Sequence, residues 1–201
     1  MNKRTLPFSG YVIDRPTKYE ANTAFDKPVC TLFGGACDQT FAAFFMWEKI
    51  LNDNKFARII ELGTGRGHTS IMFLLYVISR DGEFYTFDDS TVKNDTPLKE
   101  YLNLASHATK ANIFNPEITR KIKSIINHRG QTILFCDCGD KVHEFRTFAP
   151  VMKKGDIIAV HDWGRAIKTE WVNDVIANNK LTWLPESIDY ETTLTGVFKK
   201  G

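Results

Sequence analysis

The chain has 201 residues, 43% hydrophobic and 25% charged, with a formal net charge of +2. That length suits one domain with a sizeable core, and the composition excludes a disordered or low-complexity chain. No apolar run approaches the roughly 18 residues of a membrane span, and both charge signs are scattered, so neither a bilayer nor a nucleic acid is an expected partner.

The opening Met1-Asn-Lys-Arg-Thr-Leu-Pro7 lacks the apolar stretch of a secretory signal, which sets the expectation of a cytoplasmic protein. The cysteines Cys30, Cys37, Cys136 and Cys138 lack zinc-ribbon spacing and read as free thiols. Arg120, Lys121 and Lys123 read as the wet face of a helix.

In chain order, residues 1–55 are expected to be an irregular extension with a turn at Gly35 and a helix opened by Phe41-Ala-Ala-Phe-Phe-Met-Trp47. So apolar a helix must be covered, either by the sheet, by a substrate, or by a second copy in a homodimer. Residues 56–201 alternate β-rich runs with helical patterns, the signature of a mostly parallel sheet with crossover helices. Strands are expected at 57–61, 83–87, near 110–114, and at 132–136, 156–160, 181–184 and 194–198. The helix at 69–79 is apolar nearly all round and should be buried. Helix starts are capped at Thr96 before Pro97 and at Asn115 before Pro116. Pro150 should shorten the helix at 141–152, and a further helix covers 166–178. The last two strands are joined by too short a link for a crossover, so they should be antiparallel. All of this makes one domain, 1–201, with the extension on the substrate side or a dimer face.

The segment Glu61-Leu-Gly-Thr-Gly-Arg-Gly67 sits where the first strand of the core must turn into a helix. Gly63, Gly65 and Gly67, with Thr64 between them, let the main chain approach a ligand closely. The spacing is Gly-x-Gly-x-Gly, not the Gly-x-Gly-x-x-Gly of a dinucleotide site. Glu61 disfavours a pyrophosphate but suits a ligand with an amino group and a sulfonium. At the end of the next strand, Asp88, with Asp89 as its alternate, can accept from both hydroxyls of a ribose.

On these residues, Ile59 to Gly67 followed by Asp88, the chain from about 56 to 199 resembles the class I S-adenosylmethionine-dependent methyltransferases. The resemblance implies an α/β fold, a Rossmann-like three-layer sandwich whose seven-stranded sheet runs 3-2-1-4-5-7-6 with strand 7 antiparallel. It implies S-adenosyl-L-methionine as methyl donor, Asn112 and Ile113 with Phe114 beside the adenine, and Asp137 at the donor's methionine end.

Ligands in open α/β sheets bind at the carboxyl ends of the strands, where Asp137 and His161-Asp162 end strands four and five. The stretches from Phe135 to Lys141 and from Lys154 to Asp162 resemble methyltransferases that act on small-molecule hydroxyls, including divalent-metal-dependent ones. The resemblance implies a magnesium-like ion on Asp137 and Asp162 and a base at Lys141. This chain departs from the pattern at His161, where an acid is usual, and Lys141 lies one residue further on. A ligand set of Asp137, His161 and Asp162 would suit manganese or zinc as well as magnesium. A neutral His161 offers a second way to take the acceptor's proton. Phe44, Trp47 and Trp163 are candidates to line a pocket for a ring, while His68, His107, His128 and His143 read as surface or packing residues. The expected function is methyl transfer to a hydroxyl of a small-molecule acceptor. An NAD(P)-binding oxidoreductase and a non-catalytic binding domain of the same fold stand as alternatives.

Overall fold

A computed structural model of the chain describes residues 30–32, 35–37, 39–90, 103–187 and 190–201. The cap expected at Thr96 and most of the extension lie outside these residues. Two short strands, β1 (Cys30–Leu32) and β2 (Gly35–Cys37), form an antiparallel pair where the sequence suggests only a turn. They precede α1 (Phe41–Asp53), which starts at Thr40, whose side chain accepts from the Ala43 N–H at 3.0 Å.

The chain continues as β3 (Arg58–Leu62), α2 (His68–Ile78), β4 (Glu83–Asp88), α3 (Leu104–His107), β5 (Ala108–Lys110), α4 (Pro116–Asn127) and β6 (Thr132–Cys136). It ends with α5 (Lys141–Phe148), β7 (Ile157–His161), α6 (Thr169–Asn178), β8 (Leu181–Trp183), α7 (Tyr190–Thr193) and β9 (Thr195–Lys200). Strands β3 to β9 form one sheet in the order β5-β4-β3-β6-β7-β9-β8. Counted along the chain from β3 this is 3-2-1-4-5-7-6, and β9 runs antiparallel to both β7 and β8, as the sequence anticipates.

Every residue of β3, β6 and β7 is buried, as expected of central parallel strands covered on both faces. Alternate side chains feed two cores. Ile60, Leu62, Leu134 and Ile158 pack with α4, α5 and α6, while Ile59, Ile133, Phe135 and Ile157 pack with α1 and α2. The apolar start of α1 is covered by this second core: Trp47 meets Phe73 and Phe135 edge to face at 5.0 and 5.5 Å. On α2, Leu75 and Ile78 are exposed and most of the other apolar side chains are buried.

Several boundaries differ from expectation for identifiable reasons. The third strand of the sheet is 108–110, not 110–114, because asparagines turn the chain: Asn112 Oδ1 accepts from the Phe114 N–H at 2.8 Å. Asn115 then caps α4 through the Glu117 N–H, as anticipated. Cys138 lies beyond β6, so it is half-buried while Cys136 is fully buried. The helix expected from 166 begins at Thr169, because Gly164 and Ala166 donate within a tight turn to Ile167 O and Asp162 O at 2.7 and 2.9 Å. Pro150 ends α5 as expected, leaving a 3-10 turn at Ala149–Val151. Among the described residues no helix is long and apolar enough to cross a membrane.

Candidate active site

The carboxyl ends of β3, β4, β6 and β7 open into one cavity of about 480 Å³. The glycine loop after β3 forms one wall. Gly63 has a φ of +99°, and a Cβ there would stand 2.3 Å from Asp137 O. The loop is therefore tied to the stretch after β6 by close main-chain contact, and its first glycine is required by the protein itself rather than by a ligand. Gly65, with a φ of +50°, has nothing within 4 Å of where its Cβ would be. That is the open part of the loop, and Gly67 follows as the N-cap of α2.

Glu61 borders the cavity but is only 1% exposed. Its carboxyl accepts from Ser70 Oγ, and from Thr86 Oγ1 at 2.7 Å, while Thr64 Oγ1 lies 2.6 Å from Thr86 Oγ1. Burial pushes the Glu61 carboxyl up to about 8 against the pull of these two hydroxyls. At neutral pH it is therefore mostly protonated, and a cation placed beside it would expel the proton.

Asp88, at the end of β4, accepts from the Gly65 N–H at 2.8 Å and from Ser90 through both its N–H and its hydroxyl at 2.8 and 2.6 Å. Burial raises this carboxyl, but the hydrogen bonds from Ser90, Gly65 and Thr64 outweigh that and hold it below the usual range. It stays charged and braces the glycine loop. Asp89 beside it also borders the cavity.

A second wall gathers Asp137, His161 and Asp162, with Lys141 packed beside them. Asp137 Oδ1 is 3.0 Å from His161 Nδ1 and 3.2 Å from Lys141 Nζ, and its Oδ2 accepts from Gln39 Nε2 at 3.3 Å. A carboxylate can only accept, so Nδ1 carries the hydrogen and Nε2 holds the lone pair. That Nε2 has no hydrogen-bond partner among the described residues. Burial lowers the His161 pKa, but Asp137 and Asp162 outweigh it and hold the ring above its ordinary value. Lys141, only 8% exposed, is likewise raised: burial is overcome by Asp137, Asp162 and Glu144. Glu144, buried beneath, is pushed up to about 7 by burial. Asp162 adopts a left-handed φ of +57°, an uncommon conformation for a residue other than glycine.

Ligand atoms of Asp137, His161 and Asp162 lie within 4.8 Å of one another, as the metal expectation requires. The set does not fit a divalent ion as it stands, because Lys141 Nζ also lies 3.8 Å from Asp162 Oδ2 and puts a cation between the two carboxylates.

Of the residues expected beside the adenine, Ile113 is buried in the core, and Asn112 is engaged in its turn; neither borders the cavity. Trp47 and Trp163, offered as walls for a ring, are 0% and 2% exposed core residues that do not border it either. The lining instead includes Gln39, Arg66, His68, Cys138, Arg165 and Leu194. His68 is therefore not a surface residue, and its place directly after Gly67 was the signal that could have marked it. Gln39 had no signal, since only the fold brings the stretch before α1 to Asp137.

Scans against protein-family models and against curated proteins return no match. Solved structures do match. CmcI-D160 with magnesium and S-adenosylmethionine aligns with a TM-score of 0.65 at 13% identity, over 87% of this chain and 77% of that one. CmcI-N160 with S-adenosylhomocysteine aligns at 0.60 and 13% identity, over 94% and 93%. The chain has the fold of the class I S-adenosylmethionine-dependent methyltransferases. The methyltransferase fold is also shared with the S-adenosylhomocysteine-bound Podospora anserina methyltransferase PaMTH1, at a TM-score of 0.51 and 12% identity, over 81% of this chain and 79% of that one.

Proposed function

We propose that this chain is an S-adenosylmethionine-dependent methyltransferase that transfers a methyl group to a hydroxyl of a small molecule. The observation that carries this reading is the single cavity joining the glycine loop and Asp88 on one wall to Asp137, His161 and Asp162 on the other. Its volume falls within the range of small-molecule sites, roughly 300–1,000 Å³.

S-adenosylmethionine, when bound, supplies a methyl group on a sulfonium that an oxygen displaces in line. The residues of the loop wall receive the donor. Gly65 leaves room for it, Asp88 and Asp89 offer acceptors for ribose hydroxyls, and Glu61 offers a buried carboxylate to its amino group. On the other wall the His161 imidazole takes the acceptor's hydroxyl proton as the oxygen–carbon bond forms and the sulfur–carbon bond breaks, its buried Nε2 being reached by a small shift of the ring. Asp137 fixes the ring by accepting its Nδ1–H and stabilises the imidazolium. Lys141 is kept protonated by its neighbours, so it holds Asp137 in place and is not the base.

Titration with S-adenosylhomocysteine tests the donor half. Asp88→Ala removes hydrogen bonds to a charged group, worth about 1.5–3 kcal/mol, so binding should weaken by roughly 10- to 100-fold. Absence of binding by the wild-type protein would sink the methyltransferase reading.

A second outcome follows from Glu61. Because its carboxyl is protonated below about pH 8 in the free protein, binding an ammonium group must release that proton. Affinity for S-adenosylhomocysteine should therefore rise with pH between 6 and about 8 and level off above, and Glu61→Gln should flatten the slope. Calorimetry in buffers of different ionisation enthalpy reads the released proton directly.

A further inference from the structure

We infer that Lys141 is a built-in cation standing where a divalent metal ion would otherwise sit, so that the Asp137–His161–Asp162 cluster works without a metal and becomes a metal site only when the ammonium is removed. The inference deepens the methyl-transfer reading of this cavity, and rests on it for the meaning of the cluster as the acceptor's wall.

Three features make the cluster resemble a metal site. It has two carboxylates and an imidazole, they come from the ends of adjacent strands, and their ligand atoms converge within 4.8 Å. First-row ions hold such atoms at about 2.0–2.2 Å, so a small closure would complete the shell.

Lys141 meets that demand differently. Its ammonium lies 3.2 Å from Asp137 Oδ1 and 3.8 Å from Asp162 Oδ2, and it also donates to the carbonyl of Cys138. The ammonium thus has a carbonyl and the Asp137 carboxylate within hydrogen-bond distance and Asp162 as a longer ion-pair partner. The lysine is not free to swing aside. It is the first residue of α5, whose N-cap Asp140 accepts from the His143 N–H at 2.9 Å, and its side chain is buried together with Glu144. An ion within bonding distance of both carboxylates would lie against a fixed ammonium, and like charges a few ångströms apart repel strongly where water is scarce. His161 is committed as well, since Asp137 holds the hydrogen on Nδ1. The chain therefore has the carboxylates of a metal site and a resident monovalent charge in its centre.

The test is a titration with manganese(II), followed by electron paramagnetic resonance of the free ion and by calorimetry. The wild-type protein should show no saturable site in the millimolar range. Lys141→Gln and Lys141→Met, which keep the stem and lose the charge, should each gain one site at least ~10-fold tighter than any wild-type binding. Lys141→Arg keeps a cation and should gain none. Adding Asp162→Asn to Lys141→Gln should abolish the gained site. Saturable binding by wild type that Asp162→Asn removes would overturn the inference. So would failure of both neutral variants to gain a site while they still bind S-adenosylhomocysteine. That second titration on the same samples keeps the two readings apart: loss of S-adenosylhomocysteine binding in wild type refutes the donor site and leaves the manganese result standing.

Discussion

Replacing His161 with alanine should lower turnover by about 10²- to 10⁴-fold, the usual contribution of a positioned general base, with S-adenosylhomocysteine affinity unchanged. The ring touches the acceptor wall and not the glycine loop, so donor binding and turnover separate in this variant. The pH profile carries a second signature. Asp137 and Asp162 hold the His161 pKa above its ordinary 6.5, so the neutral, proton-accepting form is the minority at low pH. The rate should therefore climb with pH through a pKa above 6.5 and then level off. Asp137→Asn removes the carboxylate with the stronger hold on the ring, so the rise should move to lower pH. It also replaces an acceptor-only carboxylate by an amide that can donate to Nδ1 as well as accept from it, so the tautomer is no longer fixed and the plateau should fall. Unchanged turnover in His161→Ala would assign the proton to another group.

The second large effect is structural. Gly63→Ala places a methyl 2.3 Å from Asp137 O and 2.8 Å from Cys138 N, both main-chain atoms that cannot rotate away. The loop would have to part from the stretch after β6, straining the bonds that pin it: Gly63 N–H to Phe87 O and Asp137 N–H to Leu62 O, each 2.7 Å. Overpacking costs about 1–3 kcal/mol and a left-handed φ on a residue with a side chain about 1–2 kcal/mol. The loss of folding stability should thus be about 2–5 kcal/mol, read from the denaturant midpoint. Gly65→Ala is the contrast. It has open space and only the φ penalty, so it should fold with a loss of about 1–2 kcal/mol. Equal midpoints for Gly63→Ala and wild type would show that the contact is not a constraint.

The order of strands was readable because each central strand is a short apolar run bounded by turn residues, and because the link before β9 is too short for a crossover. The placing of Glu61, the glycines and Asp88 at one cavity was readable for a related reason: they lie at strand ends, where local sequence fixes their position. What sequence could not supply were relations across the sheet. Glu61 reads as a carboxylate beside the turn, but its burial depends on β4 bringing Thr86, and α2 bringing Ser70, against it. Trp47 and Trp163 read as candidates for a pocket wall until their edge-to-face partners appear from other elements and place them in the core. Asn112 falls within the strand expected near 110–114, whereas its own side chain turns the chain locally. Lys141 was legible as a neighbour of Asp137, but its approach to Asp162 depends on the pairing of β6 with β7.

The left-handed turn at Asp162 has a consequence for how this fold can diversify. Directly after it, the Trp163 N–H donates to Leu194 O at 3.1 Å, and the Trp163 ring lies where a Cβ on Gly196 would stand. Leu194 itself borders the cavity. The exit of β7 is thereby fastened to the entry of β9, so the acceptor wall takes part of its shape from the last stretch of the chain. The glycine loop and Asp88 lie before Ser90. On the proposed reading, changes between β8 and β9 would reshape the acceptor side of the cavity while the glycine loop and Asp88 stay as they are, two separately adjustable parts meeting in one space.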